Sequence, residues 1–250
     1  MTQDLFRQDA YLRECSAHIT AVTDAGIVLD QTVFYPLGGG QAGDSGVLVL
    51  ADGTQITIAD TRKGKDADGN PTSDIVHIPA PGQEDRVAQL TPGTTVTARI
   101  DWERRHRMMR LHTTSHLLCH VVPQLVNGCS ITPDYARLDF AMTDPLDKEQ
   151  LTAAIATLVA AAHPLTVASI SDEELDANPA LVKSMSVQPP RGTGRIRTIR
   201  IGGEADAPLI DLQPCGGTHV ANTSEIGAIV VTKIEKKSAT TRRVVLGFAQ

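Results

Sequence analysis

Two histidines, His112 and His116, stand four residues apart in the run Leu111-His112-Thr113-Thr114-Ser115-His116-Leu117-Leu118. On a helix, positions i and i+4 share one face about one turn apart, so both imidazoles can reach one cation. A second pair at the same spacing, Cys215 and His219, lies in Pro214-Cys215-Gly216-Gly217-Thr218-His219. Imidazole nitrogens with a thiolate form a donor set suited to zinc. Either pair alone is commonly incidental. Both in one chain, the cysteine followed by two glycines, point to a single zinc held by His112, His116, Cys215 and His219. His18, His77, His106, His120 and His163 have no such partners.

The same residues exclude other zinc chemistries. A protease of the His-Glu-x-x-His type carries its general base beside the first histidine; that position here is Thr113. A nucleobase deaminase would continue Pro-Cys-x-x-Cys, but Thr218 stands where the second cysteine belongs. No Gly-Lys-Ser/Thr phosphate loop occurs, so no nucleotide cofactor is indicated.

Two kinds of texture must position these ligands. Up to about residue 100 the chain shows short apolar runs such as Gly26-Ile27-Val28-Leu29 and Gly46-Val47-Leu48-Val49-Leu50. Turn signals at Asp52-Gly53, Asp68-Gly69-Asn70-Pro71 and Pro81-Gly82 separate them. That rhythm predicts a small antiparallel β-barrel-like domain over residues 1–100. From Asp101 to about Leu125 neither Gly nor Pro occurs before Pro123, which predicts a helix. A second helix is expected over Asp147–Ala162, after Thr143-Asp144-Pro145 and before Pro164. Strands are expected over Gly194–Ile201, Ile226–Ile234 and Val244–Phe248. Residues 101–250 thus read as a mixed α+β, zinc-binding domain, and the chain as α+β.

With 250 residues there is ample length for a core. Four Phe, three Tyr and one Trp are too few for a base-stacking platform. No apolar run of about 18 residues is present to span a membrane. The acidic start Met1-Thr2-Gln3-Asp4 has no signal character. Cys15, Cys119, Cys129 and Cys215 form no Cys-x-x-Cys pair, so reduced thiols in a cytoplasmic protein are expected. The net charge is −6, all of it in residues 1–100, which hold 7 Lys/Arg against 13 Asp/Glu. Residues 101–250 balance 16 against 16, with the basic residues clustered. One cluster is Arg104-Arg105-His106-Arg107 with Arg110; another is Arg191, Arg195, Arg197 and Arg200. The third is Lys233, Lys236, Lys237, Arg242 and Arg243. Such runs are usually solvated faces. Flanking the ligand segments, they also make a phosphate-binding surface credible, with Arg104, Arg105, Arg195, Arg197, Lys236 and Arg242 as candidates.

Three stretches resemble the editing domain of alanyl-tRNA synthetase and its free-standing relatives, the AlaX trans-editing proteins. They are Phe34-Tyr35-Pro36-Leu37-Gly38-Gly39-Gly40-Gln41-Ala42-Gly43-Asp44-Ser45-Gly46, Arg110 to Leu118, and Cys215-Gly216-Gly217-Thr218-His219-Val220 followed by Thr223-x-Glu225-Ile226-Gly227. Their order and separation resemble the medium-sized AlaX class. The resemblance implies a zinc-dependent hydrolase that removes serine, and glycine, from the acceptor end of tRNA(Ala). A related zinc domain edits serine on threonyl-tRNA synthetase; the glycine-Gln stretch favours the alanine branch. A zinc-stabilised RNA-binding module without catalysis is the alternative of another class.

The resemblance also moves Gln41 toward the active site, and makes Thr32 the residue whose hydroxyl would meet that of serine. From the residues alone, Gly38-Gly39-Gly40-Gln41 is either a tight turn or a close approach to substrate. Thr32 alone is a β-branched strand residue. Four protein ligands ordinarily close a zinc site, while a catalytic one keeps a position open. Either one ligand, His219 for instance, yields, or the zinc holds the substrate's amino group.

Overall fold

The computed structural model describes residues 1–189, 194–203 and 208–249. They fall into two compact units: Met1–Gly38 with Ala42–His106, and Gly39–Gln41 with Arg107–Gln250. The division differs from a cut after residue 100 in two places. The first turn of the long helix belongs with the first unit, and the glycine-Gln segment belongs with the second.

In the first unit, six strands close into an antiparallel barrel: β1 (Glu14–Thr23), β2 (Gly26–Leu29), β3 (Gly46–Leu50), β4 (Gln55–Lys65), β5 (Pro71–Pro79) and β6 (Thr95–Ile100). Around the barrel the order is β1-β2-β5-β4-β3-β6. Closure removes the open edges of a sheet. Alternation along β6, with Val96, Ala98 and Ile100 inward, sends every second side chain to the core. There they meet Ile19, Ile27, Leu29, Phe34, Leu48, Ile56 and Ile58.

The long helix α1 (Trp102–Val121) opens on Asp101, whose carboxylate accepts the Arg104 N–H at 3.1 Å. Met108, Met109, Leu111, Thr113, Thr114, Leu117 and Leu118 are all buried. A helix apolar on several sides is a core helix rather than a surface one. Two of its buried hydroxyls are satisfied within the helix: Thr114 donates to the Arg110 carbonyl and Ser115 to that of Leu111.

The second unit adds a four-stranded antiparallel sheet and a three-stranded one. The strands are β7 (Val126–Ile131), β8 (Tyr135–Ala141), β9 (Leu165–Ile170), β10 (Ile196–Gly202), β11 (Leu209–Pro214), β12 (Ile229–Ser238) and β13 (Thr241–Phe248). The orders are β12-β13-β8-β7 and β9-β10-β11. Helix α2 (Lys148–Ala160) packs against β12. Its N-cap is Asp147, which accepts the Gln150 N–H, rather than Thr143-Asp144. A short helix α3 (Asp172–Ala177) follows β9, opened by a Ser171–Glu174 capping box. Among the described residues no helix is long and apolar enough to cross a membrane.

Candidate metal centre

Helix α1 presents His112 and His116 one turn apart on one face. The end of β11 delivers Cys215, and irregular chain through Gly216 and Gly217 brings His219 back beside it. One donor atom from each of the four residues lies within 4.8 Å of the others, an arrangement that could hold one metal ion. Cys215 Sγ is 3.5 Å from His112 Nε2 and 3.3 Å from His219 Nε2.

The outer nitrogen of each ring is engaged elsewhere. His112 Nδ1 donates to Gln41 Oε1 at 2.8 Å and His116 Nδ1 to Asp211 Oδ2 at 2.7 Å, and His219 Nδ1 is hydrogen-bonded to Thr113 Oγ1 at 3.2 Å. In a neutral ring a proton on Nδ1 leaves Nε2 with a lone pair, the form a metal ligand requires. The electrostatics are uneven: burial opposes a charge on His116, but its bonds to Asp211 and Cys215 outweigh burial and raise it to about 9. Burial, then the neighbouring His112, push His219 down to about 3, so its ring is neutral. Burial favours a neutral Cys215, but His112 and His219 outweigh it and hold the thiol well below its usual value. Burial likewise opposes the charge on Asp211, yet His116 and Lys183 keep that carboxyl at about 2.

Gln41 enters from the other side. Gly39 and Gly40 both have positive φ, 58° and 85°, and turn the chain into the site. A side chain at Gly40 would put its Cβ 2.3 Å from Cys129 Sγ on β7. The Gly40 carbonyl accepts the Ile131 N–H at 2.7 Å, which docks the turn on that strand. Gln41 itself is fully buried. Its Oε1 also accepts the Thr218 N–H at 3.1 Å, and its Nε2 donates to Thr218 Oγ1 at 2.9 Å. The glycine-Gln turn therefore braces both ligand segments of the second unit.

The family described as threonyl and alanyl tRNA synthetase second additional domain matches residues 196–245. That described as tRNA synthetases class II (A) matches residues 7–104. The alanyl-tRNA editing protein AlaX-M of Saccharolobus solfataricus is 32% identical over 248 residues, covering 98% of each chain. The chain belongs to the AlaX-M family of alanyl-tRNA editing proteins. A second AlaX-M protein, from Methanosarcina acetivorans, is 31% identical over 253 residues and again covers 98% of each chain. An alanine–tRNA ligase of Hyperthermus butylicus is 34% identical over 249 residues, which are 94% of this chain and 24% of that enzyme.

In this AlaX-M chain several neighbours of the ligands were not singled out from sequence. Asp211 is the most consequential: Lys183 and Gln213 share it with His116. A signal existed, because Asp211, Gln213 and Cys215 alternate along one face of extended chain. Thr113, Thr218 and Gly217 sit within the ligand motifs without being metal-ligand types. Thr32 belongs to the barrel unit. It is fully buried, donates to His77 Nε2 at 2.8 Å and accepts the Phe34 N–H at 3.1 Å.

Three basic residues proposed as phosphate contacts are otherwise employed. Arg105 is fully buried against Asp44 and also donates to the carbonyls of Val33 and Ala10. Arg242 is 9% exposed and bonded to the carbonyls of Thr143 and Ser238. Arg197 donates to the Cys215 and Gly217 carbonyls at 2.6 and 3.1 Å, so it holds the ligand loop. Arg104 is half-buried and bonded to the Gly43 carbonyl. Arg195 and Lys236 are exposed, Arg195 also reaching Ser169. Arg191 lies outside the described residues.

Proposed function

We propose that this chain is a trans-editing hydrolase that deacylates Ser-tRNA(Ala), with Gly-tRNA(Ala) as a second substrate, using one zinc ion. The observation that carries the reading is the convergence of three imidazoles and one cysteine sulfur on one point. A tetrahedral zinc with bonds of about 2.0–2.3 Å spaces its donors about 3.5 Å apart, and the 3.3 and 3.5 Å separations fit that spacing. The AlaX-M relatives, named alanyl-tRNA editing proteins, support the substrate class.

Zinc bound there supplies Lewis acidity for hydrolysing the aminoacyl ester. The chain's own residues organise the site. Asp211, fixed by Lys183 and Gln213, orients His116. Gln41 orients His112 and ties it to the Cys215–His219 loop. It acts through a ligand, so it is a positioning residue rather than one that touches substrate. In this reading Arg104, Arg195 and Lys236 remain candidates for the tRNA backbone, a contact that salt should weaken.

The test is deacylation of Ser-, Gly- and Ala-tRNA(Ala) by the purified chain before and after treatment with a chelator. The expected result is about one zinc per chain, loss of Ser- and Gly-tRNA hydrolysis on chelation with the chain still folded, and Ala-tRNA spared. A zinc-stabilised RNA-binding module would instead show no hydrolysis and unfold without metal; that outcome overturns the proposal.

A further inference from the structure

Four protein donors fill a tetrahedral site, and hydrolysis needs a vacant place beside the cation. The three histidines are not held alike. His116 donates to a carboxylate that Lys183 also grips. His112 donates at 2.8 Å to an amide oxygen whose own side chain is pinned twice by Thr218. His219 Nδ1 reaches the Thr113 hydroxyl, at 3.2 Å, and that oxygen also accepts the Val220 N–H at 3.3 Å. A charged acceptor makes the shorter and stronger bond, and it makes the opposite ring nitrogen a better donor. Support therefore declines from His116 through His112 to His219. The backbone follows the same ranking. His112 and His116 ride a buried helix, whereas His219 sits on irregular chain just past Gly216 and Gly217.

We propose that His219 is the labile donor, which yields its place to a group of the substrate while His112, His116 and Cys215 remain. Its departure breaks the weakest of the three supporting hydrogen bonds and leaves the helix undisturbed. The inference rests on the zinc-dependent reading above. Thr113 becomes a positioning residue: a hydroxyl there, in place of a carboxylate, keeps His219 loosely tethered.

The experiment titrates zinc-loaded wild type, His219→Ala, His112→Ala and His116→Ala with a graded chelator. Retained zinc is read by elemental analysis and folding by circular dichroism. His219→Ala should keep one zinc with affinity lowered about tenfold, while the two helix variants lose about a hundredfold or more. Thr113→Asp gives a carboxylate to His219 and should tighten zinc while slowing deacylation; a merely structural Thr113 would loosen zinc on substitution. Equal loss from all three histidine variants of a chain whose wild type holds zinc overturns this ranking alone. So does looser zinc in a folded Thr113→Asp. Should that variant not fold, the histidine series decides. A wild type that binds no zinc overturns the underlying reading and this ranking with it.

Discussion

Thr32 and His77 share a proton whose position the geometry fixes. His77 Nδ1 faces the Ile27 carbonyl at 3.0 Å and must carry a hydrogen, so Nε2 accepts from Thr32. The Thr32 oxygen in turn accepts from Phe34. Thr32→Val keeps the shape and strands two buried partners, at about 1–3 kcal/mol for each unsatisfied group. The expected outcome is a lower unfolding midpoint, with Ser- and Gly-tRNA hydrolysis slowed in parallel. A selective loss of Ser-tRNA hydrolysis in a chain of unchanged stability would instead show that Thr32 reads serine. From sequence, a threonine on a strand carries no sign of which partner its hydroxyl will find, because His77 is 45 residues away.

At the scale of elements, the ligand loop and the start of α1 each hang on one residue. A Cβ added at Gly217 would lie 2.1 Å from His112 Cε1 and 2.8 Å from Gln41 Oε1. Gly217→Ala should therefore push His112 off its metal-facing position, cutting zinc affinity by about tenfold or more with the fold intact; unchanged affinity in a chelator competition would contradict it. Arg105 joins the first turn of α1 to Asp44. Arg105→Met takes the ion-pair partner from buried Asp44, leaving its carboxyl group the Tyr35 N–H as donor, and should cost about 3–5 kcal/mol, read by urea unfolding; near-wild-type stability would show the pair to be dispensable. Helix α1 was legible because nothing interrupts it, and the barrel strands β1, β2, β3, β4 and β6 because turn signals separate their short apolar runs, whereas β5 was not read. The hairpin of β7 and β8 was not. Asn127, Gly128 and Ser130 give β7 little intrinsic strand preference, and its extended form comes from pairing with β8. β11 is equally short on propensity and is defined by its pairing with β10.

For the molecule as a whole, burial holds His77 neutral, its pKa pushed down from 6.5 to about 4. The folded ring binds fewer protons than the unfolded one at acid pH, so stability falls as pH drops below 6.5 toward 4. The loss approaches about 3 kcal/mol at about 1.4 kcal/mol per unit. Urea midpoints between pH 7 and pH 4 should show that decline, and His77→Gln should flatten it; an equally steep decline in His77→Gln would assign the acid sensitivity to other groups. Charge counting could not foresee this, nor that Arg105 and Arg242, written in basic runs, are interior. A run records proximity in sequence, whereas burial depends on partners such as Asp44 and Thr143, 61 and 99 residues away. The candidate metal donors show the same separation, strung from residue 112 to residue 219 of 250. During synthesis, a nascent chain that ends before Cys215 offers only the two helix histidines. On the proposed zinc reading, loading the metal is a late event in the life of the polypeptide, and a product cut short by premature termination upstream of His219 is born unable to complete the site.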